Sequence, residues 1–195
     1  MQLAIPPGPF GAYLFDCDGT LADTMPLHYR AWRATLDPLG AEFPEDFFYG
    51  IGGTPTARIV EILNERNGIA MPIDSTARTK SVAFVALLAE ARPIDEVMTL
   101  ARRAIDAGEK VAVVTGGMRW VTDRILEVIG AGGIFATVVT SEDVVRGKPA
   151  PDCYLEAARR LAVSPADCLV FEDTRTGIEA ATAAGMRSVL VPRPR

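Results

Sequence analysis

Short apolar runs, each ending in polar or glycine-rich residues, alternate along most of the chain with segments of helical periodicity. Four runs are typical of β-strands and a fifth is a weaker candidate: "AYLF" (12–15), "KVAVVT" (110–115), "CLVFED" (168–173), "SVLV" (188–191) and, as the weaker one, "TVVT" (137–140). Apolar residues recur at helical spacing in residues 95–108, 151–163 and 176–185. Continuous apolar strands that alternate with helices predict an α/β fold with a mostly parallel sheet, flanked by helices on both faces.

The stretch between the first strand and the next strand–helix pair has a different pattern. From about residue 22 to residue 90 it contains amphipathic helical segments, such as 26–40 and 54–68, and no convincing strand. We therefore predict two domains. An α/β core is built from residues 1–22 and 91–195, and a helical cap, residues 23–90, is inserted after the first strand.

The composition narrows the classes of partner. The 195 residues are 49% hydrophobic and 23% charged with a formal net charge of -5, which is typical of a soluble globular protein. Mild acidity without long basic runs argues against nucleic acid or an anionic membrane as the main partner. No signal peptide is evident, and the longest apolar stretch, residues 81–91, is too short to span a bilayer. The widely spaced cysteines Cys17, Cys153 and Cys168 predict reduced thiols in a cytoplasmic protein.

Two aspartates lie one residue apart directly after the first predicted strand. Because side chains alternate across a strand, Asp16 and Asp18 can point to the same side, while Cys17 points to the other and fills the core. Two carboxylates that close together need a cation, a shared proton or both. The pair therefore marks the end of this strand as a candidate site.

Polar residues also follow the other predicted strands: a threonine with two glycines, a lysine in "GKPAPD" and a second acidic pair, namely Thr115, Gly116, Gly117, Lys148, Glu172 and Asp173. If the strands are parallel, these groups meet at one edge of the sheet, where ligands bind in such folds. Oxygen ligands with room for phosphate are what Mg²⁺ prefers. Taken singly, the same residues can also be a helix cap, a strand-to-helix turn or a surface lysine.

Four segments, in this order, resemble the four motifs of the haloacid dehalogenase superfamily: "DCDGTLADT", the Thr115 segment, "GKPAPD" and "FEDTRTGIEAATAAG". The resemblance covers nearly the whole chain and is closest to the subgroup of β-phosphoglucomutases and small sugar phosphatases, including fructose-1-phosphatase-like proteins. It implies a Rossmann-like core with a helical cap inserted after the first motif. It also implies Mg²⁺ as the cofactor and a small phosphorylated metabolite as the partner of a monomeric enzyme.

The resemblance gives the two aspartates different roles. By resemblance, Asp16 is the nucleophile that takes the phosphoryl group, and Asp18 protonates the leaving oxygen and then activates water. Haloalkanoic acid dehalogenases and phosphonatases resemble this motif but lack the second aspartate, so Asp18 favours neither of them.

The resemblance also implies a metal site and a phosphate site. The implied metal ligands are the Asp16 carboxylate, the Asp18 backbone carbonyl, Glu172 and Asp173. The implied phosphate contacts are Thr115, Gly116, Gly117 and Lys148. In this arrangement the lysine offsets negative charge on the nucleophile and on the phosphoryl group.

In the predicted cap, the resemblance points to substrate-proximal residues: Thr24, His28, Gly53, Thr54 and Arg58. His28 can equally be an ordinary interfacial histidine, and the Gly53–Thr54 segment a plain turn into a helix. Pro55 stands where mutases have a phosphate-gripping arginine, and the position where mutases usually have a lysine falls near Ala86. Arg58 lies one helical turn from Pro55 and can partly substitute for the missing arginine.

We therefore expect a Mg²⁺-dependent phosphatase that acts on a small phosphorylated metabolite, a sugar phosphate being the first choice, through an aspartyl-phosphate intermediate. Two alternatives stay open. One is a β-phosphoglucomutase-like mutase, and the other is a phosphometabolite-binding protein on the same scaffold.

Overall fold

The computed structural model describes residues 3–194, so residues 1–2 and 195 of the predicted core lie outside the described residues. The chain forms two compact units. One contains the described residues up to Asp23 and those from Arg92 onward, and the other is Thr24–Ala91. None of the described helices is both long and apolar enough to cross a membrane.

The first unit contains a five-stranded parallel sheet. Its strands are β1 (Ala12–Phe15), β2 (Lys110–Val114), β3 (Thr137–Val139), β4 (Cys168–Glu172) and β5 (Arg187–Leu190). The strand order is β3-β2-β1-β4-β5, so the chain adds strands to one side of β1 and then returns to the other. The predicted α/β fold with a parallel sheet is confirmed. The weaker "TVVT" run forms an edge strand. In open parallel sheets, ligands bind where the strand order reverses, which here is the carboxyl end of β1.

Eight α-helices occur in the described part of the chain: α1 (Met25–Leu36), α2 (Glu45–Gly50), α3 (Thr56–Asn67), α4 (Ile73–Leu87), α5 (Asp95–Asp106), α6 (Arg119–Val128), α7 (Asp152–Leu161) and α8 (Arg175–Ala183). The last four belong to the first unit. Helices α5, α7 and α8 correspond to the three segments predicted from periodicity. Helix α6 was not predicted; it begins two residues after the Gly116–Gly117 pair.

Alternate residues of the three central strands share one apolar cluster with α7 and α8. In these three strands the cluster residues are Ala12, Leu14, Ala112, Val114, Cys168 and Val170. Asp16 and Glu172 continue the alternation two residues beyond Leu14 and Val170, and they leave the sheet on the side of α7 and α8. All three cysteines are free and buried. The alternation of side chains along β1 and β4 therefore places Asp16 and Glu172 on the side of the sheet that α7 and α8 cover.

The second unit, Thr24–Ala91, is described throughout and consists of helices joined by loops, with no strand. Helices α1 and α4 pack against each other. Its own core is rich in aromatic side chains: Trp32, Phe43, Phe48, Val60 and Leu63 are among the buried residues. Edge-to-face contacts join Phe43 to both Trp32 and Phe48. Burial of these large rings explains how so short a segment can form a compact unit.

Candidate active site

Lys148 joins the carboxyl ends of the three central strands, β1, β2 and β4. Its ammonium donates to Asp16 Oδ1 at 2.7 Å, to Glu172 Oε1 at 2.5 Å and to the Val114 carbonyl at 3.1 Å. Only 7% of its side chain is exposed. An ammonium has three N–H donors, and here all three have an acceptor. Burial works to lower the pKa of Lys148, but Asp16 and Glu172 outweigh it and raise the pKa well above its usual value. The lysine is therefore a fixed positive charge.

Asp16 directly follows β1. Its N–H donates to the Phe171 carbonyl at 3.0 Å, which continues the pairing of β1 with β4. The side chain is 8% exposed. Burial raises the pKa of Asp16 well above its usual range; Lys148 opposes this rise, and Glu172 and Asp173 add to it. The carboxylate is thus held close to one cation while excess negative charge surrounds it.

Glu172 is saturated with hydrogen-bond donors from the chain. Oε1 accepts from Lys148 and, at 3.0 Å, from the Tyr154 hydroxyl. Oε2 accepts from the Thr174 N–H at 3.0 Å and from its hydroxyl at 2.9 Å. An ionised carboxylate has about four lone-pair positions, so each one here has a partner. Burial works to raise the pKa of Glu172, but Lys148 and Thr174 outweigh it and lower the pKa.

A glycine on α8 makes room for this carboxylate. A Cβ atom built on Gly177 would lie 1.8 Å from Glu172 Oε1 and 1.9 Å from its Cδ. No L side chain fits there while Glu172 stays in place. The close approach of α8 to the end of β4 therefore requires glycine, for steric reasons and not for a left-handed backbone.

Asp173 has a carboxylate oxygen that accepts no hydrogen bond within the described part of the chain. Among the residues described, its Oδ1 is a buried side-chain oxygen without a hydrogen-bond partner. Burial and the charge of Glu172 raise the pKa of Asp173 to about 8, with Lys148 opposing them. Oxygen atoms of Asp16, Glu172 and Asp173 lie within 4.8 Å of one another. An unsatisfied carboxylate within an all-oxygen cluster fits a hard divalent cation such as Mg²⁺.

Thr115 and the two glycines form a loop between β2 and α6. Thr115 is 2% exposed, and its Oγ1 accepts the Gly117 N–H at 3.0 Å. A Cβ atom on Gly117 would lie 3.4 Å from Thr115 Oγ1 and 3.9 Å from Asp18 Oδ2. The Asp18 carboxylate therefore lies beside this loop. It is not a member of the three-carboxylate cluster. Gly116 is exposed, with open space where its side chain would be.

A neighbouring segment fixes the loop from outside. The Gly117 carbonyl accepts from both the N–H and the hydroxyl of Ser141 at 3.1 Å. The Arg119 N–H, in the first turn of α6, donates to Glu142 at 2.8 Å, and its guanidinium contacts Asp143 at 2.8 Å. Backbone groups of the loop are thus held in one arrangement before any anion binds.

The other five predicted site residues belong to the helical unit, and only their contacts within that unit are given. Thr24 is buried and precedes α1; its carbonyl accepts the His28 N–H at 2.9 Å. Gly53 has a φ of 79°, which favours glycine, and the Thr54 N–H donates to Ile51 at 3.2 Å. Arg58 is paired with Glu61 at 2.6 Å, with 55% of its side chain exposed.

His28 lies in a cluster that the sequence pattern does not predict. Its ring stacks on Phe84, with centroids 3.7 Å apart, and its Nδ1 lies 2.6 Å from the ammonium of Lys80. Lys80 is only 5% exposed and lies 5.7 Å from the Trp32 ring centroid. Because an ammonium only donates, Nδ1 accepts and a neutral His28 carries its proton on Nε2. The helical unit therefore has a buried cation in α4, six residues before Ala86.

Three residues of these clusters, Tyr154, Gly177 and Lys80, were missed from the sequence. Gly177 left a signal, because a glycine inside a helical pattern often marks a close approach. Tyr154 and Lys80 occupy ordinary helical positions, and nothing in their periodicity sets them apart from core or surface residues.

The chain is similar to known proteins over most of its length. A family model described as haloacid dehalogenase-like hydrolase matches residues 10–185. The chain is 34% identical over 183 residues to fructose-1-phosphate phosphatase YqaB of Escherichia coli K12, and the match covers 92% of this chain and 95% of that protein. A CbbY variant from Rhodobacter sphaeroides in complex with xylulose-(1,5)bisphosphate superposes with a TM-score of 0.82 at 30% identity, covering 94% and 87% of the two chains.

A putative β-phosphoglucomutase from Thermotoga maritima also superposes, with a TM-score of 0.71 at 29% identity, covering 91% of this chain and 83% of that one. Relatives and structural neighbours thus include a named phosphatase and a putative mutase. The family match spans most of the chain, including all four motif segments, and it confirms the resemblance predicted from them. The chain belongs to the haloacid dehalogenase-like hydrolase family.

Proposed function

We propose that the protein is a phosphatase that hydrolyses a small phosphorylated metabolite, with a sugar phosphate as the expected substrate class. The observation that carries the proposal is the placement of the Lys148 ammonium between Asp16 and Glu172, at the carboxyl end of the central strand. A buried cation beside a carboxylate suits an oxygen that must approach an anionic phosphoryl group. The 34% identity to a fructose-1-phosphate phosphatase over nearly the full length of both chains supports the same class.

In this mechanism Asp16 supplies the nucleophile. One carboxylate oxygen attacks phosphorus in line with the leaving oxygen, the bond between phosphorus and that oxygen breaks, and Asp18 donates a proton to it. Asp18 then takes a proton from a water molecule, whose oxygen attacks phosphorus. The bond from Asp16 to phosphorus breaks, and inorganic phosphate leaves.

The remaining residues bind and orient the phosphoryl group. Thr115 and the N–H groups of the following glycines hold its oxygens, and Lys148 compensates the charge gathered on Asp16. Asp16, Asp173 and the Asp18 backbone carbonyl would hold Mg²⁺, which supplies charge neutralisation between carboxylate and phosphate when bound. Glu172 was also predicted as a metal ligand; because its oxygens already accept four hydrogen bonds, we propose that it holds Lys148 instead.

The helical unit is proposed to act as the cap that recognises the leaving group, with Thr24, His28, Gly53, Thr54 and Arg58 as candidate contacts. Such units exclude bulk water when they close over a bound substrate. A cytoplasmic monomer is the form in which we expect the enzyme to act. The three unpaired, buried cysteines agree with a reducing compartment.

A mutase is the second candidate, and one observation favours it. The absence of a cation at Pro55 and near Ala86, where mutases have an arginine and usually a lysine, argues against a mutase, but Lys80 places a buried ammonium within the same helical unit. A mutase must bind the distal phosphate of a bisphosphate, for which such a cation is suited.

Incubation with a hexose 1-phosphate and Mg²⁺ separates the two candidates. Stoichiometric release of inorganic phosphate supports hydrolysis. Formation of hexose 6-phosphate without net phosphate release contradicts it. A screen of sugar and nucleoside monophosphates, with and without Mg²⁺, then identifies the substrate class.

A further inference from the structure

Tyr154, in the first turn of α7, is fully buried and has its hydroxyl in the acidic cluster. The ring belongs to the apolar cluster shared by the sheet, α7 and α8. Its hydroxyl donates to Glu172 Oε1 at 3.0 Å. Burying a hydroxyl is costly unless it forms a hydrogen bond, and a phenylalanine would fill the same apolar space without that cost. Packing therefore explains the ring of Tyr154 but not its hydroxyl, which acts through its hydrogen bond to Glu172.

Tyr154 acts on Lys148 in two ways. The Lys148 ammonium lies 5.1 Å from the centroid of the Tyr154 ring, within the range of a cation–π contact. The hydroxyl also donates to the same Glu172 oxygen that accepts from Lys148. Ring and hydroxyl together therefore define where the ammonium can lie.

The geometry makes Glu172 a competitor of Asp16 for one cation. Lys148 is 2.5 Å from Glu172 and 2.7 Å from Asp16. With its second donor removed, Glu172 Oε1 would depend on Lys148 alone and draw the ammonium toward itself. The Tyr154 hydroxyl counters this by sharing the charge of Glu172.

We propose that Tyr154 is a positioning residue that keeps the Lys148 ammonium on Asp16 by satisfying Glu172. The inference rests on the proposed function, in which Asp16 is the nucleophile. It extends that function to a residue that touches neither substrate nor metal. Loss of the hydroxyl is expected to weaken stabilisation of the transition state more than binding of the ground state.

The test compares Tyr154→Phe with Tyr13→Phe. Tyr13 is a control in the same unit, where its ring packs edge-on against Phe10 with centroids 6.0 Å apart. With p-nitrophenyl phosphate as the probe, Tyr154→Phe is expected to lower kcat about tenfold and to change KM less than about twofold. Binding of orthovanadate, a mimic of the five-coordinate transition state, should weaken by about the same factor as kcat. Inhibition by inorganic phosphate should stay within about twofold.

A second readout does not require turnover. Titration of the metal-free protein with Mn²⁺, followed by electron paramagnetic resonance, should give the same Kd for wild type and Tyr154→Phe within about twofold. A crystal structure of the variant should show Lys148 farther from Asp16 than in wild type.

Other results overturn the proposal. An unchanged kcat shows that the hydroxyl is only structural. A Kd for Mn²⁺ that rises as much as kcat falls shows that Tyr154 acts on the metal site. An equal loss in Tyr13→Phe shows a nonspecific effect. If wild type hydrolyses no phosphate ester, the proposed function fails by itself, and the position of Lys148 in the crystal structure still tests the role of Tyr154.

Discussion

Gly177→Ala should destabilise this protein, although replacement of glycine by alanine in a helix normally stabilises by about 0.5–1 kcal/mol. The added Cβ would lie 1.8 Å from Glu172 Oε1, whereas real contacts of this kind are essentially never shorter than 3.0 Å. The carboxylate must therefore withdraw by about 1 Å. That displacement breaks or stretches its hydrogen bonds to Lys148, Tyr154 and Thr174.

The magnitude follows from the contacts that are disturbed. Overpacking a well-packed site costs about 1–3 kcal/mol, and each hydrogen bond to a charged group contributes about 1.5–3 kcal/mol. Part of this loss is recovered by relaxation, so we expect a net loss of about 3 kcal/mol in the free energy of unfolding. For a chain of this size, that corresponds to a decrease in Tm of about 10 °C.

Urea unfolding followed by circular dichroism measures the loss, and phosphate release measures its effect on turnover. Gly50→Ala is the matched control, because Gly50 ends α2 and nothing lies within 4 Å of a Cβ built there. The control should be as stable as wild type or slightly more stable. If Gly177→Ala matches the control in stability and wild type in turnover, the close packing of α8 against Glu172 is refuted.

Three other perturbations test separate parts of the site. Lys148→Met should lower kcat about 100- to 1,000-fold in a phosphate-release assay, because the charge beside Asp16 is lost; near-normal kcat would contradict its role. Mg²⁺ should raise the Tm of wild type but not of Asp173→Asn, and an equal shift in both would exclude Asp173 as a ligand. Burial works to raise the pKa of Asp143, but hydrogen bonds from Arg160 and Thr140 outweigh it and lower the pKa. The ionised Asp143 carboxylate therefore stabilises the fold above the pKa that this group has in the unfolded chain, near 4. This stabilisation is lost as the pH falls through and below that value. The stability difference between wild type and Asp143→Asn, measured by urea unfolding, should shrink over that range; a constant difference would contradict this.

Much of the first unit could be predicted because its sequence signals are local. The apolar runs 12–15, 110–115 and 168–173 have no helical alternative of the right length, and each ends in polar residues. Alternation along β1 then determines the side on which Asp16 emerges. Parallel strands bring their carboxyl ends to one edge of the sheet. Polar residues that follow different strands, far apart in the sequence, therefore lie close together.

Contacts between helices and strand ends could not be predicted. Tyr154 and Gly177 reach Glu172 only because α7 and α8 pack on one particular face of the sheet. That arrangement depends on side-chain volumes across the core, which periodicity does not encode. The same holds for Lys80. A lysine on an amphipathic helix is usually exposed, and its burial here depends on the aromatic rings of Trp32 and Phe84.

The central claim is that Asp16 forms a covalent bond to the phosphoryl group. Rapid acid quenching during turnover of a hexose 1-phosphate, followed by borohydride reduction, converts an aspartyl phosphate into a homoserine that peptide mass mapping can locate. We expect this modification at residue 16 in wild type, and neither the modification nor phosphate release in Asp16→Asn. Turnover without a modified residue 16, together with retained activity in Asp16→Asn, would contradict the account.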